Sequence, residues 1–370
     1  MKVFLTGGTG FIGQALTRCM LQRGWSVVAL ARRADSPRAL QLRRMGAELT
    51  AGDVTNRESM RAEMQGADVV VHTAGMYEFG VDKAGAHRMR EVNVAGTENV
   101  LRLAHELHIR RTVHVSSVKA FGGSGAEPRD ETYVRQMPCR TIYEQSKVEA
   151  HEIARRYQQL GSPVIIVCPN QVIGANDHSV FGYLLRAYVN GVMPPAAWGP
   201  DSTISYVDVD DAAVGIALAV EKGRDGETYL LCGEPQTLKQ TLTYWNTKPG
   251  GLRARAWLPA WLAAALVAPL EPLQRKLGLP AVLSRESVRA GSTSWNYSSA
   301  KARFELGWGY RCAEDLWTAA FEAELRLLAQ RKKQRLLERL KPLESTAGDE
   351  DDLASGQHSE AMAQPIRASE

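Results

Sequence analysis

The sequence predicts an α/β fold, a doubly wound parallel sheet followed by a smaller, mostly helical C-terminal lobe. Three observations carry this expectation. Short β-branched runs alternate with helix-periodic stretches over the first two hundred residues, a glycine-rich turn follows the first of those runs, and beyond Cys168 prolines and glycines break the rhythm.

Taken in order, the candidate strands are Lys2–Thr6, Ser26–Leu30, Glu48–Ala51, Val69–Thr73, Thr112–Ser116 and Val164–Cys168. Helical spacing runs through Phe11–Arg23, Pro37–Met45, Arg57–Met64, Glu91–Leu107 and Tyr143–Leu160. Residues 1–168 therefore make the sheet domain, to which segments near 203–232 return: Asp208–Val220 as a helix and Glu227–Cys232 as a strand. Residues 169–330 form the second, substrate-facing lobe from separated segments, interrupted by Pro169, Pro194, Pro195 and Pro200. Within it Leu252–Ser287 is helix-rich, Asn296–Tyr310 follows, and a last helix runs from Ala313 to near Arg339, so that 331–343 is its basic end. Residues 344–370 are dominated by Ser, Gly, Asp and Glu, with few large apolar side chains to offset the entropy of ordering, and are expected to be disordered.

Composition narrows the function classes. A chain of 370 residues, 44% hydrophobic, can bury a large core, and a net charge of +4 with dispersed basic residues does not indicate nucleic acid as a partner. Cys19, Cys139, Cys168, Cys232 and Cys312 are odd in number, far apart and without a CxxC pair, which suits reduced thiols in a cytoplasmic protein rather than disulfides or a metal site. Lys2–Thr6 already reads as a buried strand, so no signal leader is expected. The apolar run Trp257–Leu270 contains Pro259 and Pro269 and falls short of the roughly 20 residues that span a bilayer; a helix of the second lobe is the preferred reading over a membrane-surface contact. The run Arg331, Lys332, Lys333 and Arg335 is likewise expected to be a solvated helix face.

The turn after the first strand is Thr6-Gly7-Gly8-Thr9-Gly10-Phe11-Ile12-Gly13. Gly7 permits the tight turn, Gly10 lets the backbone approach a pyrophosphate, Gly13 allows close helix packing, and the helix N-terminus offers free N–H groups to the anion. This is a Rossmann-type dinucleotide site. An acidic residue roughly 20 residues on would bond the ribose 2′-hydroxyl of NAD, but the second strand ends in Ala31-Arg32-Arg33, and a guanidinium suits a 2′-phosphate. NADP(H) is therefore the expected cofactor, with Arg32 as the main contact; NAD(H) is the alternative if Asp35 serves instead. Asp53 and Val54 after the third strand are expected at the adenine, and Thr73-Ala74-Gly75 after the fourth lets the cofactor lie on the backbone.

Chemistry is expected from Tyr143-Glu144-Gln145-Ser146-Lys147, which sets a phenol and an ammonium on one helix face. A free tyrosine titrates near ~10; a nearby lysine and an oxidised nicotinamide stabilise the phenolate, so Tyr143 can act as general acid and base. Ser116 and Ser117 close the fifth strand, where Ser117 can hydrogen-bond the substrate oxygen, although a turn or helix cap is the plainer role of such a pair.

Jointly these motifs resemble the extended short-chain dehydrogenase/reductase family, within the NAD-dependent epimerase/dehydratase superfamily. Further matching residues are Gly52-Asp53-Val54, His72-x-Ala74, Asn93-Val94-x-Gly96-Thr97-x-Asn99, Pro169-x-x-Val172-x-Gly174, Tyr206-Val207-x-Val209-x-Asp211 and Ala300-Lys301-x-x-x-Glu305-Leu306-Gly307-Trp308, covering about residues 1–330. The resemblance implies Ser117, Tyr143 and Lys147 as the catalytic trio, Asn93 as a supporting residue, and Pro169 and Val172 beside the nicotinamide. It also implies a homodimer paired through the helices at Glu91–Leu107 and Tyr143–Leu160. Dehydratases of the family carry Asp-Glu directly after the catalytic hydroxyl residue, where this chain has Val118-Lys119; epimerases carry Asn and Arg where it has Gln171 and Cys168. Trp257-Leu258-Pro259-Ala260-Trp261-Leu262 and Ser284-Arg285-Glu286-Ser287-Val288 look like the dihydroflavonol 4-reductase and 3β-hydroxysteroid dehydrogenase branch. The expected function is thus NADP(H)-dependent interconversion of a secondary alcohol and a ketone on a moderately apolar, ring-containing small molecule. A nucleotide-sugar 4-epimerase and a non-catalytic dinucleotide sensor are the alternatives.

Overall fold

The computed structural model describes residues 1–78, 80–248, 255–277 and 283–344. The sheet half alternates as β1 (Lys2–Thr6), α1 (Phe11–Gln22), β2 (Ser26–Ala31), α2 (Pro37–Met45), β3 (Glu48–Ala51), α3 (Glu58–Gln65), β4 (Val69–His72), α4 (Lys83–Arg90), α5 (Gly96–Glu106), β5 (Arg111–Val115), α6 (Ile142–Gln159) and β6 (Val164–Pro169). The second half follows with β7 (Gln171–Ile173), α7 (Val180–Val189), β8 (Ala196–Trp198), β9 (Thr203–Asp208), α8 (Val209–Lys222), β10 (Thr228–Leu231), β11 (Pro235–Thr237) and α9 (Leu238–Trp245). After these come β12 (Ala256–Leu258), α10 (Ala260–Val267), α11 (Leu270–Lys276), α12 (Arg285–Gly291), α13 (Ala300–Leu306) and α14 (Ala313–Glu344).

Seven strands form one sheet in the order β10-β6-β5-β4-β1-β2-β3, and every pairing in it is parallel. Strand order reverses between β1 and β4, which opens a crevice at the carboxyl ends of the strands. Alternation along the strands feeds two faces: Val3, Leu5, Val27, Ala29, Val69 and Val71 pack into one apolar cluster, while Phe4, Val28, Leu30 and Val70 pack into another with α3 and α5. Both faces are covered, so these strands are apolar throughout rather than on one side.

One expected helix is not uniform. Across Glu91–Leu107 the chain makes a π-turn at Glu91–Ala95 before α5, and α4, unanticipated, precedes it. In the second half β7, β9 and β11 form a small sheet and β8 pairs with β12. An aromatic nucleus holds this half together, with Trp317 edge-on to Trp245 and Tyr206 at centroid distances of 5.2 and 5.0 Å.

Residues 1–324 form one compact unit. From Leu325 the rest of α14 belongs to a second unit, in which Arg331, Lys332 and Lys333 are exposed. The side chain of Arg335, and the tail expected to be disordered beyond Glu344, lie outside the described residues. Among the described residues no helix is long and apolar enough to cross a membrane.

Candidate active site

β1 enters its glycine turn directly. Gly7 has φ +75°, and a Cβ there would lie 2.5 Å from the backbone nitrogen of Ala74; at Gly13 a Cβ would lie 2.1 Å from the carbonyl oxygen of Gly7. The turn, the end of β4 and the first turn of α1 are therefore in backbone contact that no side chain tolerates. Gly10 caps α1 without a side-chain acceptor, so the N–H groups of the first helical turn remain available to a ligand.

In front of that turn runs a crevice of about 560 Å³. It is bordered by Gly7, Thr9, Gly10, Phe11, Ile12 and Gly13, by Arg32, Asp53 and Val54, by Thr73, Ala74 and Gly75, and by Ser116, Ser117, Tyr143, Lys147, Pro169 and Val172. Thr6 and Asn93, singled out from the sequence, are not among its lining. Thr6 is fully buried and bonds His72 Nδ1 through its hydroxyl at 2.7 Å. Asn93, buried in the π-turn, accepts from the Met76 N–H at 2.7 Å and donates to the Met76 carbonyl at 3.0 Å and to Ser146 Oγ at 2.9 Å, so it supports the crevice wall from behind.

At the end near β2, Arg32 is exposed, while Asp35 is turned to Arg33 at 3.8 Å and does not border the crevice. Asp53 spends Oδ1 on the Thr55 N–H and hydroxyl, both at 2.9 Å, holding its own turn. Arg38, not anticipated, also borders the crevice and contacts His178 Nε2 at 2.5 Å. Its signal in the sequence was a cation in the first turn of a helix that opens with Ser36-Pro37: Ser36 caps α2 through the Ala39 N–H, with proline at the first helical position.

At the other end, the Thr141 hydroxyl accepts from the Glu144 N–H at 2.9 Å and fixes where α6 begins. Tyr143 and Lys147 then share one face of α6, both bordering the crevice. Burial pushes the Tyr143 phenol above its ordinary value, and a hydrogen bond with Ser117 pulls the other way. Burial also brings Lys147 down to about 8, and its ammonium donates to the Val115 carbonyl at 3.4 Å. The phenol lowered by Lys147 that the sequence suggested is therefore not what the protein alone produces: desolvation of the phenolate dominates.

Two further side chains border the same end without having been anticipated. The Tyr77 ring meets Tyr143 edge-on at 4.6 Å between centroids. Lys119 is brought to about 7 by burial, opposed by Glu144 and assisted by Arg135, and its ammonium sits 3.2 Å over the Trp295 ring. Neither stands at a spacing that sequence reasoning tests. Among the described residues no group of three or more His, Cys, Asp or Glu side chains is arranged to hold a metal ion.

The sequence profile of the NAD dependent epimerase/dehydratase family matches residues 3–232. The chain belongs to this family. A Synechocystis protein provisionally named dihydroflavonol 4-reductase is 31% identical over 315 residues, covering 82% of this chain and 89% of that one. The human 3 beta-hydroxysteroid dehydrogenase type 7 is 29% identical over 342 residues, covering 82% and 90%. Among solved structures, that of gox2253 superposes with a TM-score of 0.72 at 29% identity, covering 88% of this chain and 98% of its own. The resemblance read from the motifs, including its reductase and hydroxysteroid dehydrogenase branch, is borne out.

Proposed function

We propose that the protein is an NADP(H)-dependent oxidoreductase interconverting a secondary alcohol and a ketone on a moderately apolar, ring-containing substrate. The observation that carries this reading is the convergence of Ser117, Tyr143 and Lys147 on the crevice whose wall is the uncapped start of α1. That crevice fits a dinucleotide: a glycine turn intolerant of any Cβ, free N–H groups for a pyrophosphate, and two arginines for a 2′-phosphate. Arg32 and Arg38 would hold that phosphate, the first turn of α1 the pyrophosphate, and Pro169 and Val172 the nicotinamide. When bound, the cofactor supplies and accepts the hydride.

The chain's own residues handle the proton. A phenol raised by burial stays protonated at neutral pH, so Tyr143 is ready to donate to a substrate carbonyl oxygen. Lys147, charged below about 8 and one helical turn away, stabilises the phenolate left behind. Ser117 hydrogen-bonds the same oxygen as charge develops. The reductase and steroid dehydrogenase names among the relatives support an apolar ring ketone or alcohol as substrate.

The test is steady-state turnover of steroid ketones and dihydroflavonols with NADPH and with NADH. NADPH should be consumed with a clearly lower KM than NADH. Tyr143→Phe should keep NADPH affinity and lose about 10²–10⁴-fold in kcat. Unchanged turnover in that variant removes the mechanism, and substrate conversion without net cofactor consumption makes the protein an epimerase instead.

A further inference from the structure

The helices α10 and α11 are inverted with respect to water. α10 buries its smaller residues Ala263 and Val267 against Val288 of α12 and leaves Trp261 72% and Leu266 56% exposed. Through α11 the exposed series continues with Leu270, Leu273 at 52% and, just past the helix, Leu277 at 61%. A helix facing solvent shows the opposite pattern, and a run of large apolar side chains of this kind marks an interaction surface.

Charge identifies what it meets. Residues 255–289 contain two acids, Glu271 and Glu286, and neither faces outward freely. Glu271 is buried and accepts from the Arg285 N–H at 2.6 Å, while half-buried Glu286 accepts from the N–H groups of Gly80 at 2.6 Å and Ile142 at 3.2 Å. Arg255, Lys276, Arg285 and Arg289 are exposed. The Arg285 guanidinium pairs with Glu271 at 3.4 Å, and Arg255, Lys276 and Arg289 are further exposed cations on the same apolar segment. A second copy of the chain fits it poorly, because a two-fold contact would bring two such basic segments together. An anionic lipid surface matches both features, accepting the apolar side chains at the acyl boundary and the cations at the headgroups.

We propose that α10 and α11, with Leu277, form a docking face that seats the protein on an anionic phospholipid bilayer. α12, on which α10 packs, is tied through Glu286 to Gly80 and to Ile142, which precedes Tyr143, so docking would hold the substrate end of the crevice near the lipid. That last consequence rests on the reading of the site as an oxidoreductase for apolar molecules; docking itself does not.

The experiment is co-sedimentation of the full chain with vesicles of phosphatidylcholine alone or mixed with phosphatidylglycerol, alongside mass measurement in solution. Partitioning should favour the anionic vesicles by about tenfold or more and weaken with salt. Trp261→Ser combined with Leu273→Ser should lower it by about tenfold or more while the thermal midpoint holds, since both positions are exposed. Tyr143→Phe should bind vesicles as the wild type does, which separates this proposal from the catalytic one. No preference for anionic vesicles, or wild-type partitioning by the double variant, overturns docking. An oligomer that dissociates on the double substitution assigns the face to a second copy and overturns it equally.

Discussion

Replacing Asn93 by alanine probes whether the π-turn supports the crevice wall. The side chain is 2% exposed and makes three hydrogen bonds, two to the backbone of Met76 and one to Ser146. Each such bond contributes about 1 kcal/mol net, and a polar group left orphaned adds a cost of the same order, so Asn93→Ala should destabilise the protein by about 3 kcal/mol. For a unit of this size each kcal/mol moves Tm by about 2 °C, giving a fall of about 6 °C. Function should suffer as well, because Met76 precedes Tyr77, whose ring rests on Tyr143. Calorimetry with steady-state kinetics reads both effects. Asn93→Asp keeps an acceptor for the Met76 N–H and should lie between wild type and alanine. A Tm within about 1 °C of wild type, with kcat unchanged, would refute the assignment of Asn93 as a positioning residue.

Gly13→Ala forces a Cβ to 2.1 Å from the Gly7 carbonyl oxygen and 2.7 Å from Gly8 Cα, both backbone atoms. It should cost about 1–3 kcal/mol and abolish NADPH binding by calorimetric titration; wild-type affinity would show that the turn and α1 need not touch. Lys147 carries its proton below about 8 and loses it above, so kcat/KM for ketone reduction should fall as pH rises through 8, and Lys147→Arg should remove that descending limb. A profile flat to about pH 9.5 would show that the ammonium is not required.

Legibility in the sequence followed the kind of signal each feature leaves. Strands β1, β2, β3, β4, β5 and β6 and the helices α1, α2, α3 and α6 carry periodic apolar patterns, and the structure moves their ends by a residue or so. Arg32, Ser117, Tyr143 and Lys147 could be named because each stands at a strand end or at helical spacing, where backbone geometry dictates what faces the crevice. Asn93 could be named, but not its manner of acting, since a π-turn leaves no periodicity to read. Arg38, Tyr77 and Lys119 reach the crevice through side-chain packing between segments far apart in sequence, Arg38 against His178, Tyr77 against Tyr143 and Lys119 on Trp295. The inverted face of α10 was hidden for a related reason: an all-apolar run states that a face is buried, not which one.

The layer beneath the crevice explains why one lysine matters there. β4, β5 and α6 bring His72, His114 and His151 under the site, with the first two rings stacked at 5.3 Å. Burial takes His72 to about 3 and His151 to about 4 and pushes His114 well down, so all three are neutral at physiological pH. Burial likewise holds Cys168 near 12, as a thiol. His72 is fixed in that state by the hydroxyls of Thr6 and Thr97 at its two ring nitrogens, at 2.7 and 3.0 Å. Lys147, at about 8, keeps its proton in the same surroundings because a lysine starts from a higher value. Among these buried groups it is the charge that a phenolate at Tyr143 would meet, and neutral histidines leave the lysine free of the repulsion that an imidazolium would add.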